Sequence, residues 1–323
     1  QYADFALWQR RMLGAEDDPA SVLAGQAAYW KNALAGIADE IALPTDRPRP
    51  PVQSMRGGKV RFVVDPSTHH GLTEVARTHN ATLFMVLHAA LAGFLHRITG
   101  DVDIAIGTPV AGRGHEELDD LIGMFVNTLV LRTAPRGDRS FADLLAEARE
   151  TDLDAFAHAD IPFESLVEIL APERSTARQP LFQVALSFEN LGRTGFDLPG
   201  LSFGIVDSDI DVAKFDLSLT LAEQFDQAGE PAGMAAEFSY ARDLFDENTI
   251  DGFARRFVRF LDGVLTDTDR AIGDVDILDA RSVHVSRECA APNRSSRRPC
   301  HGSCRSLWRG DRTAPPCVAA TRH

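Results

Sequence analysis

The chain has 323 residues, 44% of them hydrophobic, and a net charge of −14 at neutral pH. That length supports one large domain or two small ones with a real core, so disorder is excluded as the default. No apolar run reaches the roughly 18 residues a membrane span needs, and the acidic balance argues against nucleic acid, whose phosphates require clustered Lys and Arg.

The start, Gln1-Tyr2-Ala3-Asp4, is neither an initiator Met nor a basic leader and reads as a cut end. Tyr2 to Arg10 reads as a helix, and residues 20 to 35 as a second one carrying Tyr29 and Trp30. The prolines from Pro44 to Pro51 make a connector that cannot continue a helix. Val60, Phe62 and Val64 alternate with Arg61 and Val63 as a first strand. Asp65-Pro66 is a helix start, the Asp capping free amides and the Pro taking the first helical position. The next helix, about 82 to 98, is apolar nearly all round and is predicted to be buried. Gly100 ends it. Val102, Ile104 and Ile106 form a short strand leading into a tight turn, Gly107-Thr108-Pro109-Val110-Ala111-Gly112-Arg113.

A second strand, Phe125 to Arg132, is apolar on both faces and so is expected at the centre of a sheet. Ser140 with Asp143 makes a capping box for a long helix whose seam is Phe141, Leu144, Leu145, Ala148, Ala155 and Phe156. A shorter helix near 162 to 170 follows. Three strands come next, marked by Phe182 to Phe188, Leu217 to Leu221 and Met234 to Tyr240. The last helix, about 246 to 265, buries Ile250, Phe253, Phe257, Leu261 and Val264 and shows Arg255, Arg256 and Arg259 to solvent. Strands and helices interleave without a repeat, the pattern of an α/β sandwich with a mixed sheet flanked by helices.

Beyond Arg281 the texture changes. Residues 283 to 323 hold eight Arg against Glu288 and Asp311, so the first 282 residues carry −20. All four cysteines, Cys289, Cys300, Cys304 and Cys317, lie there too, which leaves the body without thiol chemistry and fits a reducing cytoplasm. The stretch lacks periodicity and is expected to be a disordered tail. Its composition is what an out-of-frame reading of GC-rich DNA would give; an intact frame continuing into an ordinary domain is the alternative. Its cysteines and His301 are too irregularly spaced for a structural zinc site.

Six segments in order carry a resemblance. They are Tyr2-Ala3-Asp4-Phe5-Ala6-Leu7-Trp8, Gly107 to Arg113, Ile122 to Thr128 with Arg132, His158 to Glu164, Arg174 with Arg178 to Gln183, and Lys214-Phe215-Asp216-Leu217. Together they resemble the signature motifs of nonribosomal peptide synthetase condensation domains. That family is similar in fold to chloramphenicol acetyltransferase: two α/β lobes form a V around a channel. Carrier proteins bring donor and acceptor thioesters into it on phosphopantetheine arms, and an amide forms. The resemblance divides the chain into connecting helices at 1–56, following a missing amino-terminal lobe, a carboxy-terminal lobe at 57–281, and a tail at 282–323. No cofactor, metal, nucleic acid or membrane is implied for the chain itself, only carrier proteins and the missing lobe as partners, in the cytoplasm.

The family's His-His-x-x-x-Asp-Gly motif, whose second His positions or deprotonates the amine, lies upstream of the Tyr2 segment and so falls outside this sequence. His69-His70-Gly71-Leu72-Thr73-Glu74-Val75 lacks the Asp and Gly and reads as two partly exposed surface histidines. No residue here is assigned catalysis. Phe125, Asn127 and Arg113 are the candidates for the substrate channel. Asn127, on a largely apolar strand, bonds either substrate or the catalytic loop, or else neighbouring backbone. Arg113 either faces the other lobe and pairs with the motif's Asp or is a solvated loop Arg. His158 to Glu164 and Asp216 read as structural. Two functions remain open: an enzyme fragment inactive alone, with an apolar lobe face that promotes association, or a non-catalytic product, either a carrier-docking module or the remnant of a decayed gene.

Overall fold

Local capping and periodicity account for most element boundaries in the computed structural model, which describes residues 1–114, 116–173, 175–189, 211–226 and 228–278. Residues 1–277 form one compact unit. Arg174, the four cysteines and the whole of the expected tail, 282–323, lie outside the described residues.

Helix α1 (Tyr2–Leu13) and helix α2 (Val22–Ala33) open the chain. Strand β1 (Gly57–Val64) follows the proline connector. Asp65 then caps helix α3 (Pro66–Thr78), accepting from the amides of Ser67 and Thr68 while Pro66 holds the first turn. Helix α4 (Leu83–Thr99) is buried from Met85 to Leu95 and ends at Gly100 in the left-handed conformation. Strand β2 (Ile104–Val110) and strand β3 (Asn127–Thr133) pair antiparallel. Ser140 and Asp143 box the start of helix α5 (Phe141–Ala157). Helix α6 (Phe163–Leu170), strand β4 (Val184–Glu189), strand β5 (Leu217–Phe225), strand β6 (Pro231–Ala241) and helix α7 (Glu247–Thr266) complete the unit.

The six strands form one mixed sheet in the order β1-β6-β5-β4-β2-β3. β4 is parallel to both β2 and β5, and the other neighbours are antiparallel. The main core joins the sheet to α3, α4, α5 and α7 through Leu72, Leu91, Phe94, Leu145, Phe238 and Phe257. A second, smaller core gathers Trp30, Leu34, Val130, Ile161, Leu166 and Phe182 around α2 and α6. Helices thus cover one face of the sheet through the main core and the other where the smaller core meets β2, β3 and β4, while Val63 of β1 stays 65% exposed; the layering is that of an α/β sandwich.

Five expectations need correction. β3 is apolar on both faces yet lies at the edge of the sheet; its buried residues Leu129, Val130 and Leu131 all belong to the smaller core, and side-chain burial says nothing about how many strands flank a strand. Phe125 precedes that strand rather than starting it. Gly107 to Val110 is not a turn but the second half of β2, in register with Val130 to Asn127. A side chain at Gly107 would strike the Phe182 ring, whereas Gly112, at φ 65°, sits in the real turn. His69 is fully buried, not partly exposed, because β5 runs beside the first turn of α3 and its Nε2 donates to Glu223 Oε1 over 3.0 Å. His70 is exposed. Phe156, counted in the α5 seam, is 45% exposed and meets the edge of Phe84.

Candidate functional site

The β2–β3 hairpin ends with the pair Val110 and Asn127, and the connection between them is a loop pinched at its base. A Cβ on Gly112 would fall 1.9 Å from the Phe125 carbonyl oxygen, so only glycine lets the two strands of the loop meet there. Arg113 fills the loop. Its guanidinium donates to the carbonyls of Leu118 and Asp119 and, over 2.8 Å, to that of Leu121. The same group lies 4.2 Å from the Phe125 ring centre, a cation–π distance. Arg113 is half-buried, and these bonds within the described residues go to carbonyls of its own loop. It organises its own loop.

Phe125 is buried because α1 covers it. The rings of Tyr2 and Phe5 stand 5.2 and 4.7 Å from it, the first edge-on. Tyr2 also donates its hydroxyl to the Met124 carbonyl at 2.5 Å. Asn127 faces the turn between α5 and α6. Its Nδ2 donates to the carbonyls of Ala159 and Ile161 at 2.9 and 2.8 Å. Its Oδ1 accepts from the amides of Thr128 and Phe163 at 2.9 and 3.0 Å. Two donors and two acceptor sites exhaust a primary amide, so of the two kinds of partner weighed for Asn127 the structure supplies neighbouring backbone. The Phe163 amide is one that Pro162, the α6 cap, has no side chain to satisfy.

The turn that receives Asn127 also anchors α2. Trp30 donates its indole N–H to the His158 carbonyl, and Gln26 donates to Asp160 and accepts from the Ile161 amide. His158 stacks on Tyr29 at 3.9 Å and donates Nδ1–H to the Asp154 carbonyl. Burial first, then the Asp154 and Asp152 carboxylates, push Tyr29 up to about 12, so it stays neutral. Arg132 clamps Asp103 with two bonds, at 2.7 and 2.9 Å, and reaches the carbonyls of Ala33 and Ala35 at the end of α2.

These contacts join the segments singled out in the sequence. Tyr2 meets residues 123–125, Gly112 meets Phe125, Asn127 meets 159–163, the Phe182 ring covers Gly107, and Phe182 packs against Phe215 in a tilted pair with ring centres 5.1 Å apart. Segments spread from residue 2 to residue 217 thus form one contiguous chain of contacts at one end of the sheet.

The condensation domain family model matches residues 1–284. The chain belongs to the condensation domain family. It is 49% identical over 278 residues to a probable non-canonical nonribosomal peptide synthetase, CymA, of Salinispora arenicola, covering 86% of this chain and 4% of that protein. It is 45% identical over 278 residues to a dimodular nonribosomal peptide synthase of Bacillus subtilis, covering 86% of this chain and 12% of that one. Among solved structures, the X-domain in its complex with OxyB from teicoplanin biosynthesis superposes with a TM-score of 0.80 at 34% identity, over 86% of this chain and 61% of that one. The condensation-domain chain therefore spans a small fraction of its curated relatives, and it has the chloramphenicol acetyltransferase-like fold.

Two clusters escaped the sequence reading. Asp216, 3% exposed, receives two bonds from Arg49, which also holds Glu40 and the Ala177 carbonyl. Burial pulls the Asp216 carboxyl up, against the guanidinium, and the Asp216 bond holds Arg49 firmly protonated. Arg49 sits in the proline connector, 167 residues away in sequence, where no local signal marks it. Second, His88 of α4 and Asp152 of α5 are fully buried with Nδ1 and Oδ1 2.8 Å apart. A His inside an all-apolar helix was the available clue. Among the described residues, the bonds of neither cluster reach the loop of Arg113.

Proposed function

We propose that this chain is the carboxy-terminal half of an amide-forming condensation domain. In that reaction the acceptor amine attacks the donor thioester carbonyl; a C–N bond forms, the C–S bond breaks, and the amine proton ends on the released thiol. The substrates arrive on the phosphopantetheine arms of carrier proteins, which are the partners, and this chain binds no cofactor, metal, nucleic acid or membrane of its own. Its place is cytoplasmic. Phe125, packed under α1, anchors the loop beside the channel, Asn127 fixes where β3 begins, and Arg113 holds the loop between them in shape.

The contiguous contact chain of the motif segments, within the matched residues 1–284, carries this reading. The sequence contains no His-His-x-x-x-Asp-Gly stretch. Its lone His pair, His69-His70, has its first member bound to Glu223. The group that handles the amine proton must then come from the other lobe, and the chain alone is inactive, since base and both thioesters must be held in register.

The test compares the chain alone with the chain joined to an amino-terminal portion that carries the motif, each given carrier-loaded aminoacyl thioesters and read by mass spectrometry. Amide should appear only with the joined protein. Product from the chain alone overturns the reading. A second reading, a non-catalytic recruiting module, is favoured by one observation: the similar X-domain was solved in complex with another protein, OxyB. A joined protein that binds carriers without turnover would support it.

A further inference from the structure

Among its described residues, the loop from Ala111 to Val126 is bonded within itself, which fixes its shape but not its place. Arg113 and the 3₁₀ turn Glu116–Leu118 bond within the loop, and Gly112 closes its base. Toward its end the loop turns apolar side chains outward, Ile122 at 95% exposure and Met124 at 71%. What ties that end to the rest of the lobe is α1. Tyr2 Oη donates to the Met124 carbonyl at 2.5 Å. The Tyr2 ring lies so close over Gly123 that a Cβ there would sit 2.1 Å from Cδ2. The same ring meets Phe125 edge-on, and Phe5 closes the other side.

We infer that Tyr2 is a positioning residue for the amide-forming reaction, its hydroxyl and ring holding the 111–126 loop so that Phe125 and the start of β3 stand where the channel requires them. The inference rests on the reading above and adds a residue that would act through the loop rather than on substrate. Losing the hydroxyl alone keeps the ring packing. Because one such bond is worth a net factor of about five in a local equilibrium, Tyr2→Phe should free the loop without unfolding the lobe.

Arg113 is the one Lys or Arg between residues 111 and 126, so tryptic cleavage after it reports on the loop. In the full chain under native conditions, Tyr2→Phe should raise that cleavage rate about five-fold, tracking the open population, with an unchanged unfolding midpoint. Tyr2→Leu, which also removes the ring, should raise it further. An unchanged rate in both variants overturns the tether. In the joined two-lobe protein, Tyr2→Phe should lower kcat several-fold while KM for the carrier-loaded substrates stays within about two-fold, the mark of lost positioning rather than lost binding. Faster cleavage with unaltered kcat would overturn the positioning role. If the unsubstituted joined protein makes no amide, it is the amide-forming reading that fails, and the cleavage arm still decides whether Tyr2 holds the loop.

Discussion

A methyl group added to Gly107 would lie 2.0 Å from Cε2 of Phe182, an overlap no small rotation of a buried ring relieves. Gly107→Ala should therefore lower stability by about 1–3 kcal/mol in urea unfolding, the usual range for overpacking. Adding Phe182→Leu should recover part of that loss; an unaltered midpoint for the single variant would mean the ring does not sit there. The glycine itself was visible in the sequence, but its reason was not. It reads as turn chemistry until the strand register places it opposite Val130 and under Phe182. Asn127 shows the same limit. That a polar amide on an apolar strand needs partners follows from its chemistry. Which partners it has depends on the α5–α6 turn 32 to 36 residues away.

At the level of the element, α3 begins where Asp65 says it should. Its carboxylate accepts from the Ser67 hydroxyl and amide and from the Thr68 amide and hydroxyl, and these bonds hold its pKa below the ordinary value. A lowered folded pKa means that the contribution is complete above the unfolded value, about 3.9, and is lost as pH falls through the folded one. Asp65→Ala should thus cost about 1 kcal/mol at neutral pH. The gap between the two proteins should narrow below about pH 4. Urea titrations at both pH values check this, and a gap that widens in acid would reverse the assignment. Caps of this kind were legible because donor, acceptor and helix are neighbours in sequence. The docking of α2 was not, since Trp30 meets His158 across 128 positions.

Across the whole molecule, exposed apolar side chains of the described residues are spread over the surface, Val52, Val63 and Val212 included, but Leu7, Trp8, Ile122, Met124 and Val126 share α1 and the loop it holds. A patch of that kind marks a surface that another body covers. The chain by itself should self-associate, and Ile122→Glu with Met124→Lys should weaken that association at least about ten-fold in sedimentation velocity, through charge placed in an apolar contact. A wild-type chain that stays monomeric at high concentration would count against a second lobe seated there. Neither substitution alters the Met124 carbonyl, so the Tyr2 bond is left in place.

The sequence by itself determined the helix starts, the strand periodicities, the alternation that makes an α/β sandwich, and the family, because each of these is carried by residues close together along the chain. Only the tertiary structure decided that the doubly apolar β3 lies at an edge, that His69 is inside, that Arg113 serves its own loop, and that Arg49 seals Asp216. Those outcomes turn on which distant surfaces the topology brings within a few ångströms of one another, and a bond between residues 2 and 124 leaves no trace in the spacing of either.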